Sequence, residues 1–308
     1  MTTLSSPPGL LLYTLELSER DTDHLVAGSS NALITIHKFA GVIEILAGEP
    51  EESGYVEGVG RTARFNAIYG ISQLEYKYIL SDYGNHCLRS VDYISNETQT
   101  FAGACLSWGT ADGSLVSARF ASPSGMTRDL GNPDVIYLVE LRALRKIDLL
   151  AETVITLPGS NLPSGYIYGV TMSPAGNLFI TSLHGIMQFN LNETVQWLTG
   201  NTTQGAACDE CDISSARFSG PVGLRFITPK VLMVADYNNH KLRLVNLTSG
   251  IVTAIGAGEG YQDGPYQDSK LISPYSIAID SSSIYIGAVT AIDGSVRKLA
   301  YSGMCDIL

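Results

Sequence analysis

The feature that most limits what this chain can fold into is a repeat. An aromatic residue or Leu is followed by Pro at +3, Gly or Ser at +5 and an apolar residue at +6. This gives Leu4-Pro7-Gly9-Leu10, Phe120-Pro123-Gly125-Met126, Phe218-Pro221-Gly223-Leu224 and Leu271-Pro274-Ser276-Ile277. Phe65, Gly70 and Ile71 fit with Ile68 in place of Pro, and a weaker copy passes through Gly169-Val170. Seven residues before four of these starts lies a turn: Glu57-Gly58, Asp112-Gly113, Glu210-Cys211 and Asp263-Gly264. Asp-Gly marks a turn because Gly supplies positive φ without steric cost and Asp bonds its own backbone. A period of about 50 residues describes units that stack on one another to bury their faces.

Within each unit an apolar run follows the repeat start, as in Tyr78–Asp82, Val135–Glu140, Leu178–Ser182, Val231–Asp236 and Ile284–Gly287. Their β-branched and aromatic content predicts strands. A third run (Asn85–Asp92, Asn239–Asn246) and a fourth (Gln99–Ala102, Ile251–Ile255) complete four strands per unit. Helical periodicity is absent, so a helical solenoid is excluded. Six four-stranded units predict an all-β, six-bladed β-propeller, with four antiparallel strands per blade in a single domain over 1–308. The blades span approximately 4–50, 65–105, 120–159, 164–202, 218–258 and 271–308. The first unit reads Leu10–Leu17, Leu25–Gly28, Ala32–His37 and Val42–Leu46, and the last reads Tyr275–Asp280, Ile284–Ala288, Val296–Ala300 and Met304–Leu308. Both end units read as whole, so no N-terminal strand is expected in the last blade, and closure should rest on packing of blade 1 against blade 6.

Two segments, Asp82-Tyr83-Gly84-Asn85-His86-Cys87-Leu88-Arg89 and Asp236-Tyr237-Asn238-Asn239-His240-Lys241-Leu242-Arg243, resemble the NHL repeat, named for its Asn-His-Leu core. Glu140–Asp148 fits the same frame more loosely. The Ala-Arg-Phe turns at 63–65, 118–120 and 216–218 are similar to the extended form of that repeat in extracellular proteins. The resemblance covers nearly the whole chain. It implies a scaffold for recognising protein, glycan or RNA, with enzymes a minority, and a fold this widely shared does not name a function. It also implies that Asp82, Asn85, His86, Arg89, Asp236, Asn239, His240 and Arg243 are structural.

The 19 Lys and Arg against 30 Asp and Glu leave a net charge of −11, which opposes nucleic-acid binding and repels anionic lipid. No apolar stretch reaches the ~20 residues of a membrane span, so no membrane insertion is expected. No nucleophile elbow or phosphate-binding loop is present. The scattered His24, His37 and His184 lack ligand spacing, and His86 and His240 lie three blades apart. Glu57, Asp112, Glu210 and Asp263 would form a partial ring of carboxylates, but a cation follows each seven residues later: Arg64, Arg119, Arg217 and Lys270. Loop-internal ion pairs are therefore expected. Asp82 with Arg89, and Asp236 with Arg243, should pair within their blades. No cofactor is expected, and a calcium site on the acid ring has no motif behind it.

The cysteines and sequons set the compartment. A hairpin turn near Ser95–Thr98 sets Cys87 opposite Cys105, which predicts a cross-strand disulfide. Cys208 and Cys211 lie in a linker and predict a local disulfide, while Cys305 is left over. Asn96, Asn192, Asn201 and Asn246 begin Asn-x-Thr sequons, and Asn96, Asn192 and Asn246 fall in turns between third and fourth strands. Glycosylation there would cover one face of the disc. The other face, carrying the linker turns Glu57-Gly58, Asp112-Gly113 and Asp263-Gly264 together with Tyr83, Tyr237 and Asn238, is left for a partner. These signs predict an extracellular setting, although residues 1–20 show no signal-peptide pattern. The expected function is a non-enzymatic extracellular interaction or structural module of a larger secreted or anchored protein, with a protein or glycan partner. The alternatives are a metal-dependent propeller hydrolase or lyase, and an intracellular NHL scaffold that binds protein or RNA.

Overall fold

A computed structural model describes residues 1–5, 10–159, 162, 167–190, 194–201, 203, 205, 208, 210–289 and 294–300. Six small antiparallel sheets form the six blades of a β-propeller. Their innermost strands are Leu12–Leu17, Ile68–Leu74, Met126–Arg128, Val170–Met172, Pro221–Thr228 and Pro274–Ile279. Blades 2, 3 and 5 carry a short fifth strand from the preceding linker, Gly58–Val59, Gly113–Ser114 and Glu210–Asp212, so the expected four strands become five there.

The second strands explain the fold. Val135–Glu140 and Val231–Asp236 are buried along their whole length. A strand covered on both faces reads as a continuous apolar run instead of an alternating one. In blade 1, Val26 and Leu33 pack with Ile71, Tyr78 and Leu80 of blade 2, while Leu25, Ala27 and Ile34 pack with Ala278, Tyr285 and Val296 of blade 6. The same sharing recurs between blades 2 and 3, 3 and 4, 4 and 5, and 5 and 6. Each sheet thus buries both faces against its neighbours, and the ring is closed.

Closure differs from the sequence expectation. Thr2–Ser5 pairs antiparallel with Gly294–Ala300, so the N-terminal strand is the outer strand of blade 6. The segment expected in that place, Met304–Leu308, lies outside the described residues. Leu4 matches the repeat start in sequence but does not occupy its place in the fold. Register shows that Leu12-Tyr13-Thr14-Leu15 occupies the place of Ile68-Tyr69-Gly70-Ile71, with Leu12 opposite Ser29 as Ile68 is opposite Asp82. Leu4 belongs to the closing strand instead.

Two polar contacts reinforce the seam. Asp263 accepts the Thr3 N–H and hydroxyl, each at 3.1 Å, and pairs with the buried Arg297 at 2.6 Å. At the other end of the blades the buried Lys38 of blade 1 pairs with Asp280 of blade 6 at 3.0 Å. Burial works to raise the Asp280 carboxyl, but the Ser282 N–H and hydroxyl and the Lys38 ammonium outweigh it and hold it at about 2.

Two outcomes are expected at this seam. Thr3→Pro removes the N–H and hydroxyl that Asp263 accepts and should cost about 2 kcal/mol in chemical denaturation. An unchanged midpoint would place the strand outside the folded disc. Because the Asp280 pKa is depressed, its contribution is complete above about pH 4 and is lost as pH falls through about 2. Asp280→Asn should thus be less stable than the parent at neutral pH by about 2 kcal/mol. That gap should close in acid, and a gap that persists at the lowest pH would contradict the assignment.

Candidate binding site at the channel mouth

The inner strands run down the channel, and one position near their upper ends repeatedly holds tyrosine. Tyr13, Tyr69, Tyr168 and Tyr275 each stand just before a small residue, Thr14, Gly70, Gly169 or Ser276, and blades 3 and 5 have Ser124 and Val222 there. In blades 1, 2 and 6 the ladder slips at this point, so the tyrosine is the unpaired residue of a bulge. A bulge re-aims its side chain. The following glycine lets the next blade close in. Gly125 donates its N–H to the Tyr168 carbonyl at 2.7 Å, and a Cβ there would lie 2.2 Å from that oxygen.

The result is a continuous cluster of rings. Tyr69 stacks on Tyr13 at 4.5 Å and on Tyr168 at 5.6 Å, and Tyr275 lies 5.5 Å from Tyr13. Tyr237 meets Tyr275 nearly perpendicularly at 5.7 Å, and Tyr83 lies 4.6 Å from Tyr69. Above them lies a cavity of about 490 Å³ walled by these tyrosines except Tyr83, by apolar side chains including Leu11, Leu183 and Val289, and by Asn238. That size is typical of a ligand pocket. Burial raises the hydroxyl pKa of Tyr69 and Tyr275 well above its ordinary value, so the floor stays neutral. The opposite mouth is charged, with Arg225 paired to Glu16 and Arg128 beside them.

The signature residues hold the loops that deliver Tyr83 and Tyr237. Asp236 accepts the Ser219 N–H at 2.8 Å, the Asn239 amide at 2.9 Å and Arg243 at 3.1 Å. Asp82 does the same with Asn66, Asn85 and Arg89, at 2.8, 2.8 and 3.2 Å. Burial pushes both carboxyls up, while these donors and the guanidinium pull them back. His86 and His240 adopt left-handed backbone, φ 57° and 54°. Their Nδ1 atoms accept the N–H of Ser122 and Ser273 in the next linker, at 3.2 and 3.0 Å. Each His is thus a latch between successive blades. His24 and His37 face each other across strands with rings 4.9 Å apart. Among the described residues no three of His, Cys, Asp and Glu converge as metal ligands.

The linker acids behave differently from expectation. Glu57 accepts the N–H and hydroxyl of Thr100, each at 2.8 Å, instead of pairing with Arg64. Asp112 holds Thr156 in the same way and pairs with Arg145 at 3.1 Å, as Asp263 holds Thr3 and Arg297. Glu210 lies on the short strand opposite Thr253. Arg64 pairs with Glu52, and Arg64, Arg119 and Arg217 donate to carbonyls of their own turns. The acids tie linkers to outer strands, a long-range pairing that sequence proximity concealed. Gly58, Gly113 and Gly264 supply the positive φ values, 146°, 156° and 152°.

Cys87 and Cys105 are joined by a disulfide with Cα atoms 4.9 Å apart, and Cys208 is joined to Cys211. The first bond arises by a different route from the one expected. Register sets Arg89 opposite Thr100 and Leu88 opposite Ala102, so Cys105 lies past the strand end and returns through the turn at Gly103, φ 84°. Asn96 and Asn246 lie at the third-to-fourth-strand turns, opposite the tyrosine mouth. Asn201 follows an outer strand on the mouth side, and Asn192 and Cys305 lie outside the described residues. Of the contact residues expected from their loops, Tyr237 and Asn238 line the cavity and Tyr83 packs on Tyr69 beside it. The four inner-strand tyrosines were missed, and their signal was the column at +4 of the aligned repeat.

Compared with protein-family models and with curated proteins, the sequence matches none. Solved structures are similar in fold. An auxiliary nutrient binding protein from Bacteroides ovatus ATCC 8483 is 14% identical with a TM-score of 0.68, over 93% of this chain and 69% of that one. A chain of a nidogen/laminin complex is 14% identical with a TM-score of 0.59, over 91% and 89%. A virginiamycin B lyase from Staphylococcus aureus, in complex with quinupristin, is 12% identical with a TM-score of 0.57, over 95% and 98%. At these identities the likeness is one of fold.

The latch makes a pH prediction. Burial lowers the His86 pKa, and only neutral Nδ1 accepts the Ser122 N–H. The contribution is therefore present above about pH 6.5 and is lost as pH falls through the lowered folded value. Parent and His86→Ala should differ in denaturation midpoint at pH 8 and converge in mild acid, and parallel pH profiles would contradict the latch.

Proposed function

We propose that this chain is a non-enzymatic, extracellular binding propeller of the NHL type that takes its partner at the tyrosine mouth. The observation that carries this reading is the convergence of Tyr13, Tyr69, Tyr168, Tyr237 and Tyr275, from five blades, around one cavity. Aromatic side chains that present an apolar body and a polar tip suit recognition surfaces. The Cys87–Cys105 disulfide suits an oxidising compartment. Glycans on Asn96 and Asn246 would cover the opposite face, while Asn201 lies on the mouth side after an outer strand. The nutrient-binding and nidogen/laminin structures give this fold a precedent in binding, and the lyase gives it one in catalysis.

The test is a panel of defined extracellular proteins and glycans probed with secreted protein. Binding should fall about tenfold in Tyr237→Ala and stay unchanged in Ile94→Ala, an exposed position on the opposite face. Binding lost in Ile94→Ala alone would contradict the assigned face. Turnover with stoichiometric zinc or calcium that survives dialysis would replace a binding module by an enzyme.

A further inference from the structure

We infer that the tyrosine mouth binds a quaternary ammonium group, a proposal that rests on reading the mouth as the binding site. Elsewhere the protein covers ring faces with its own cations. Arg89 lies over Phe65 at 5.3 Å, Arg145 over Phe120 at 5.3 Å and Arg243 over Phe218 at 4.9 Å, while Lys38 and Lys298 lie over Tyr285 at 5.4 and 5.6 Å. Among the described residues no Lys or Arg lies over the ring of Tyr13, Tyr69, Tyr237 or Tyr275. Among the described residues the rings of Tyr13, Tyr69, Tyr237 and Tyr275 therefore have no internal cation, and they line a cavity.

Charge and hydration select among ligands. Among the described residues that line the cavity there is no Asp, Glu, Lys or Arg, and the whole chain carries −11. An anion would meet a negative protein and the negative faces of the rings. A primary ammonium or a guanidinium would bring several N–H donors against described wall residues that carry no carboxylate, and unmatched donors are costly to bury. The internal guanidiniums illustrate this requirement: Arg89 and Arg145 each donate to a carboxylate and to linker carbonyls. A quaternary ammonium has no N–H to satisfy. Its methyl groups suit the walls of Leu11, Val222 and Val289, and its charge is attracted by ring faces within about 6 Å. Tyr237 and Tyr275, 88° apart, both line the cavity and place two rings on its wall.

The experiment titrates the full chain with choline and with 3,3-dimethylbutan-1-ol, the neutral compound of the same shape, by calorimetry at low and high salt. Choline should bind at least about tenfold more tightly than the alcohol. N-acetyl-trimethyllysine amide is a second arm that distinguishes a free solute from a methylated side chain of a partner, and binding of either supports the ammonium chemistry. Tyr237→Leu should weaken choline about fivefold and leave the alcohol unchanged, while Tyr237→Phe should retain choline. The comparison of the two ligands on the parent protein needs no variant to fold. Equal affinity for the two compounds, tighter binding of arginine amide than of choline, or no saturable binding by either ammonium would overturn the proposal. If a panel ligand still depends on Tyr237 in that last case, the mouth remains the binding site and the cation inference alone fails.

Discussion

The constraint on which the rest depends is the backbone contact between successive inner strands at the waist of the channel. Gly125 lies directly against the Tyr168 carbonyl, and a Cβ at Gly169 would lie 2.2 Å from the Val222 carbonyl. Crowding is resolved pairwise within the blades. Gly70 is opposite Ser81, whereas Thr14 is opposite Gly28 and Ser276 opposite Gly287, so one member of each of these pairs gives up its side chain. The waist this makes is narrow, about 40 Å³. Side chains one residue above it have no room in the channel and gather at its mouth. The tyrosine cluster is thus a consequence of ring geometry together with a repeated residue choice.

Around that waist the linkers are organised by buried arginines. Arg89, Arg145, Arg243 and Arg297 occupy one register position in blades 2, 3, 5 and 6, across from Leu80, Leu138, Val234 and Ile286. Each donates to the carbonyl of the residue before the repeat start, Arg64, Arg119, Arg217 or Lys270, at 3.0–3.2 Å. Blades 1 and 4 have Ile34 and Met187 in this place. They are also the blades reached by the shortest connections, from Ser5 to Leu12 and from Thr156 to Val170, against Gly48 to Ile68 before blade 2. The arginine and the long linker thus occur together. Removing one partner of such a buried pair strands a charge, which makes these sites intolerant of substitution.

What was legible in the sequence follows from this physics. Long, doubly buried strands such as Val135–Glu140 were legible because stacked blades demand unbroken apolar runs, and the blade count followed from the linker turns. The closing strand was not, because Thr2–Ser5 is short and polar and gains its meaning only from Asp263, 260 residues on, and from Arg297 beyond it. The partners of Glu57 and Asp112 were hidden for the same reason: Thr100 and Thr156 lie more than 40 residues on. The mouth was half legible. Tyr83 and Tyr237 stand inside a recognisable motif, but Tyr13 was lost when the first copy was aligned on Leu4, and Ser124 and Val222 interrupt the column in blades 3 and 5.

Amide hydrogen exchange followed by mass spectrometry on the intact chain tests the closed ring most directly. In a closed ring Thr2–Ser5 is the outer strand of blade 6, so its hydrogen-bonded amides, including the Thr3 N–H that Asp263 accepts, should exchange as slowly as those of Ile43–Gly48, the outer strand of blade 1. Rapid exchange at Thr2–Ser5, with Ile43–Gly48 and the middle strands still protected, would mean an open arc and would remove the mouth along with it.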